Sequence, residues 1–248
     1  MHVLKRDDKS QSLAGEAYLI VRQRILRGEI AIGATVSRRK LAAELGMSFL
    51  PVSEALMKLE NEGLLESRPR AGTRVRIPTG PDVRGHYAVR EALEVQAARL
   101  FAVTATPEEK AELMKLAIRV DTLGEAPDGD RTVYLSLHER FHYRVAEYTR
   151  CQALCEAIEK THALASTWLC VRQTPSKGGA RRRRHQQLAK VLTAGDPVAA
   201  AEAMRDHIVS SMERTLARLE PYFEMGRQKG TKYQRTQKPG DTGMEAVA

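Results

Sequence analysis

Apolar residues recur at helical spacing over Leu13–Leu26, and the run stops at Arg27-Gly28, which predicts a helix with a glycine-assisted end. Ser37 is placed to cap a second helix, Arg38–Leu45, that stops at Gly46. Ser48 is placed to cap a third, with Pro51 in its first turn, where a missing N–H does no harm. That helix runs through Glu54-Ala-Leu56-Met-Lys-Leu59-Glu60 and ends at Gly63. Only Gly46 and Met47 separate the second helix from the third cap, a helix–turn–helix spacing.

The next stretch, from Leu64 to Ile77, reads as two short strands joined by a turn, with Arg68, Arg70, Arg74 and Arg76 along it: a basic β-wing. Pro78-Thr-Gly-Pro81 reads as a linker. From Asp82 to about Phe223 the period is helical throughout, with candidates at Val83–Thr104, Pro107–Leu123, Arg131–Glu147, Gln152–Arg172, Ala180–Ala194 and Pro197–Leu219. The expected fold is therefore mainly α: an N-terminal winged helix–turn–helix over residues 1–79, then an all-α antiparallel helical bundle over 80–225. Residues 226–248 lack apolar periodicity and are expected to form a disordered basic tail.

Composition narrows the class. Hydrophobic residues make 42% and charged residues 29% of the 248, which excludes a wholly disordered chain. No apolar run approaches the ~20 residues of a membrane span, and the polar start shows no secretory h-region. The three cysteines do not make a disulfide framework, and Cys151 and Cys155 lack a Cys-x-x-Cys spacing. A cytoplasmic, reducing compartment is expected.

The formal charge of +9 is uneven. Residues 1–79 hold 14 Lys/Arg against 9 Asp/Glu, residues 80–225 hold 21 against 20, and the tail 5 against 2. A basic unit joined to a nearly neutral one points to a polyanion-binding module with a second domain of another purpose.

Leu41-Ala-Ala-Glu-Leu-Gly-Met-Ser48, Pro51-Val52-x-Glu54-Ala55-Leu56, Leu59-Glu-Asn-Glu-Gly63-Leu64 and Gly72-Thr-Arg-Val75 together resemble the winged helix–turn–helix of GntR-type transcription regulators. Downstream, Val89-Arg90-Glu-Ala-Leu93-Glu94, Phe141-His142, His185 and Gly195-Asp196-Pro…His207 resemble the helical FCD effector domain of the FadR subfamily. The resemblance covers residues 13–223. It implies a homodimer that binds a double-stranded DNA operator, with the third helix in the major groove and the wing on the backbone or minor groove. The DNA-facing positions it implies are Arg39, Ser48, Phe49, Pro51, Ser53, Arg70, Arg74 and Arg76. Relatives of this type usually carry arginine at the places of Phe49 and Ser53, and arginine reads guanine bidentately, so an unusual operator is expected.

Four of the seven histidines fall where metal chemistry could use them. His138 and His142 are four apart on one predicted helix and project from one face; His185 and His207 come from two later helices. Imidazoles from three helices suit a borderline divalent ion. The FCD resemblance implies an aspartate at the place of His138, so either His138 replaces it or only three histidines bind. An all-histidine set favours Zn²⁺ or Ni²⁺ and leaves the full charge to attract an anionic, carboxylate-type effector. Arg90 could meet that carboxylate or bridge helices. The string His138-Glu139-Arg-Phe-His142 also matches H-E-x-x-H, in which the glutamate acts as general base of a zinc hydrolase. The expectation is a non-enzyme regulator; the alternatives are that metallohydrolase, or a constitutive DNA binder with a structural metal.

Overall fold

The structure, a computed structural model, describes residues 12–68, 72–125, 131–169 and 184–235. Helix α1 (Leu13–Leu26) starts because the Ser12 hydroxyl accepts a bond from the Gly15 amide at 3.1 Å, and it ends at Arg27 with Gly28 at φ +74°. Its face of Ala17, Val21 and Ile25 is buried against α3. Ser37 caps α2 (Arg38–Leu45) through the Lys40 amide, and Gly46, left-handed at φ +63°, closes it. Helix α3 (Phe49–Asn61) buries Val52, Ala55, Leu56 and Leu59. Strand β1 (Thr35–Val36) and the hairpin of β2 (Leu65–Arg68) and β3 (Gly72–Val75) make an antiparallel sheet of order β1-β3-β2. Its register sets Glu66 opposite Arg74 and Ser67 opposite Thr73. Val36, Leu65 and Val75 of the sheet join the helical faces in one small core.

The second unit starts earlier than the periodicity predicts. Helix α4 (Gly80–Thr104) begins three residues before Val83, because Thr79 and Asp82 form a reciprocal capping box: Asp82 N donates to Thr79 Oγ1 at 3.2 Å, and Thr79 N to Asp82 Oδ2 at 2.9 Å. Pro81 of the expected linker sits in that first turn, where no amide is needed.

Helices α5 (Pro107–Glu125), α6 (Arg131–Glu147), α7 (Gln152–Leu169), α8 (Arg184–Thr193) and α9 (Pro197–Arg235) complete the bundle. Helix α4 packs along α9, and α5 against α6 and α8, around Phe101, Leu113, Phe141, Ile158, Leu192 and Met204. Trp168 and Cys155 are buried in the same core. Helix α9 continues past the expected end at Leu219 and past the boundary at 226 as far as Arg235. Pro221 lies within it; proline removes one backbone donor, and the polar segment beyond it is rich in good helix formers. Arg70, Cys170, Arg181 to Arg183 and residues 236–248 lie outside the described residues.

The two units touch through α1 and α6. Leu26 packs with Leu135 and Tyr134, Arg22 Nη2 meets Glu139 Oε1 at 3.0 Å, and Arg27 Nε donates to Thr132 Oγ1 at 3.2 Å. Among the described residues no helix is long and apolar enough to cross a membrane.

Candidate metal centre and nucleic-acid interface

Helix α6 places His138 and His142 one turn apart, α8 supplies His185 in its first turn, and α9 supplies His207. One ligand nitrogen from each of the four lies within 4.8 Å of the others. The ring of His138 is 4.7 Å from His142 and 5.1 Å from His185, and His207 is 5.3 Å from His142 and 5.1 Å from His185. Two nitrogens bound opposite each other on one ion stand about 4.2 Å apart, given metal–nitrogen bonds of about 2.1 Å. At the corners of a tetrahedron with the same bonds they stand about 3.4 Å apart, so the set must contract by about 0.6–1.4 Å to hold an ion.

Two of the rings are oriented from behind. His185 Nδ1 lies 2.7 Å from Asp121 Oδ1, which leaves Nε2 buried without a hydrogen-bond partner, the arrangement of an imidazole aimed at a cation. Asp121 also accepts the backbone amides of His185, at 3.2 Å, and Gln186, at 2.9 Å, so it caps α8 from a neighbouring helix. Burial alone would raise its carboxyl pKa, but the bonds from His185 and Gln186 prevail and hold it below the usual carboxylate value. His142 Nδ1 meets Glu94 Oε2 at 2.5 Å, and Glu94 Oε1 accepts from Arg90 Nε at 2.7 Å. The residues present fit a divalent ion.

Burial lowers the pKa values of His138 and His207 well below 6.5, and the neighbouring imidazoles lower them further. His138 and His207, held neutral in this way, offer lone pairs, which is what a metal needs. Arg90, 1% exposed, stacks over the Tyr87 ring at 5.1 Å and keeps Nη1 without a hydrogen-bond partner. It thus both braces Glu94 and retains a donor near His138, whose low pKa it helps to maintain. Arg214 on α9 is pushed down to about 10, first by burial and then by Arg184. Arg214 brings a positive charge near His207, on the side of the bundle that also holds the buried carboxylates of Glu94 and Asp121.

Asp121 is absent from the sequence reading, and Glu94 enters it only as part of a motif, with no role assigned. A signal existed, because each is a carboxylate at a core position of its helix: Glu94 follows Tyr87 and Arg90 on the buried face of α4, and Asp121 follows Ala117 and Val120 on α5.

The glutamate of the H-E-x-x-H string has a partner on the DNA-binding unit. Glu139 points to Arg22 of α1 and lines the cleft between the two units, as does Glu159, while the four imidazoles gather elsewhere. A base that activates a metal-bound water must reach that water, and Glu139 is engaged on another face of α6.

At the DNA-facing end, Arg39, Ser48, Phe49 and Leu50 are exposed at the starts of α2 and α3, with Pro51 and Ser53 half-buried. Ser48 stands at the N-cap, but its hydroxyl makes no capping bond, contrary to the expectation of a side-chain cap. The wing arginines differ from expectation too. Arg74 is held across the hairpin by Glu66, and Arg76 lies beyond β3 with Nη2 2.9 Å from Asp82 Oδ1. Neither projects freely as a phosphate ligand; Arg68, half-exposed at the end of β2, does so more fully, with Glu66 3.5 Å away. The carboxylates of Glu66 and Asp82, brought close by register and by the capping box, are the reason.

A winged helix–turn–helix followed by a helical bundle enclosing four imidazoles is the architecture of a DNA-binding transcriptional regulator. The model of bacterial regulatory proteins of the gntR family matches residues 13–75, and that of the FCD domain matches residues 86–210. The chain belongs to the GntR family and carries an FCD domain. A "Probable D-xylose utilization operon transcriptional repressor" of Paenarthrobacter nicotinovorans is 31% identical over 192 residues, 77% of this chain and 83% of that protein. Two solved structures share the fold. A GntR structure from Rhodococcus sp. RHA1 has a TM-score of 0.68 at 22% identity, covering 82% of this chain and 97% of that one. E. coli McbR/YncC has a TM-score of 0.66 at 23% identity, covering 86% and 99%.

Proposed function

We propose that the chain is a cytoplasmic, homodimeric repressor whose bundle binds a divalent metal, Zn²⁺ or Ni²⁺, together with a carboxylate effector that weakens operator binding. The observation that carries this reading is the convergence of His138, His142, His185 and His207 on one buried point, with Asp121 and Glu94 behind two of them. When bound, the metal supplies a fixed positive charge for an anion. Arg90 offers a buried donor beside it, and Arg184 and Arg214 add positive potential. Repression is the activity in the name of the Paenarthrobacter relative.

Helix α6 connects the two functions. It carries His138 and His142 toward the pocket and presents Leu135 and Glu139 to α1 of the DNA-binding unit. An effector that shifts α6 therefore shifts α1 and the helix–turn–helix packed on it. In a dimer this changes the spacing of the two reading helices against a fixed operator. A coupling of ~1–3 kcal/mol would alter affinity 5–150-fold.

Elemental analysis of the purified protein, followed by gel shifts with and without small carboxylic acids, tests the proposal. Bound metal and an acid that releases the operator are expected. Metal-free protein with no thermal shift on adding Zn²⁺ or Ni²⁺ would overturn the metal site, whereas bound metal with operator affinity indifferent to every acid would leave a structural metal in a constitutive binder.

A further inference from the structure

The first two residues of α3 are apolar and turned outward. Phe49 is 58% exposed and Leu50 66% exposed, although Val52, Leu56 and Leu59 of the same helix are buried completely. The core of this unit is thus satisfied on the opposite face, and Phe49 and Leu50 contribute nothing to it. They occupy the turn of a helix–turn–helix that reaches deepest into the major groove. The neighbouring starts of α2 and α3 are polar: Arg39, Lys40 and Ser48 are exposed, as is Glu54 one turn from Leu50, and residues 1–79 carry an excess of 14 basic over 9 acidic residues. Charge complementarity names the occupant of this face as double-stranded DNA.

Phe49 and Leu50 have no side-chain donor or acceptor to offer a base. Most of the major-groove edge is polar: purine N7, guanine O6, thymine O4, and the amino groups of adenine and cytosine. Pressing a phenyl or isobutyl group on any of these strips it of water without a replacement hydrogen bond. The thymine 5-methyl is the apolar surface on that floor. We infer that Phe49 and Leu50 read thymine 5-methyl groups in each operator half-site. The assignment rests on the placement of α3 in the major groove. Adjacent residues on a helix diverge by about 100°, so the two side chains address different base pairs, giving two thymines per half-site.

The test acts on the DNA as well as the protein. An operator is selected from random duplexes with the full chain, and each thymine in it is replaced singly by uracil, which removes only the methyl. Burial of one methyl corresponds to about a fourfold change in affinity. Uracil is expected to weaken binding about fourfold at two positions per half-site and to be silent elsewhere. Phe49→Ala should abolish the sensitivity at one of those positions and Leu50→Ala at the other; both sites are exposed, so folding should survive. Equal affinity for the thymine and all uracil duplexes would overturn the assignment, as would unchanged uracil sensitivity in both variants. A chain that selects no sequence, and whose DNA affinity is indifferent to salt, would overturn the placement of α3 itself and the assignment with it.

Discussion

Asp121 Oδ1 lies 2.7 Å from His185 Nδ1 across 64 residues of chain, and the same carboxylate caps the helix on which that histidine sits. One side chain thereby sets both the position of α8 and the direction of its imidazole. Orienting partners of this kind are worth 10–100-fold in metal affinity. Asp121→Asn should retain the fold and lose affinity for Zn²⁺ within that range, measured by competition with a chromogenic chelator. Unchanged affinity would show that His185 is held by packing alone.

The low pKa values of His138 and His207 make the metal-free protein acid-sensitive. Both groups take up protons more readily unfolded, near 6.5, than folded. The stability they contribute is therefore fully present above about pH 6.5 and declines as the pH falls from there toward the depressed folded values. Thermal melts of metal-free protein between pH 8 and pH 5 should show this decline. His138→Asn should reduce its slope; an identical pH profile would remove His138 from the account.

Glu139→Gln separates the regulator from the hydrolase. Its carboxylate is engaged by Arg22 on α1, so the variant should keep its metal, and the loss of the pair should cost about 1 kcal/mol or less. His142→Ala and His207→Ala should each reduce metal content sharply. Release of metal by Glu139→Gln in equal measure would contradict the geometry of α6.

Among the arginines, Arg39 and Arg74 should behave differently. Arg39→Ala should weaken binding to all DNA sequences alike and lower the salt slope by about one. Arg74 is spent on Glu66 across the hairpin, so Arg74→Ala should act mainly on stability, at about 0.2–1 kcal/mol. Salt-dependent gel shifts alongside denaturant melts would distinguish them, and the reverse pattern would restore Arg74 to the phosphate contacts.

Much of this protein is settled locally, in the sequence. Ser12, Ser37 and Gly46 bound their helices because capping needs only near neighbours. His138 and His142 share a face because four residues make about one turn. Periodicity says which residues point the same way; it does not say what they meet. That Glu94 backs His142, that Asp121 backs His185, that Glu139 turns to Arg22, and that Glu66 and Asp82 occupy two wing-region arginines all depend on helices and strands packing at particular registers. Even where the partners are only a few residues apart, as for Arg76 and Asp82, the capping box had to place α4 before the pair could form. The four histidines of the cluster are thus legible along the chain, while the carboxylates that orient two of them are chosen by the packing of the bundle, because burial makes an unpaired carboxylate too costly to leave without a partner.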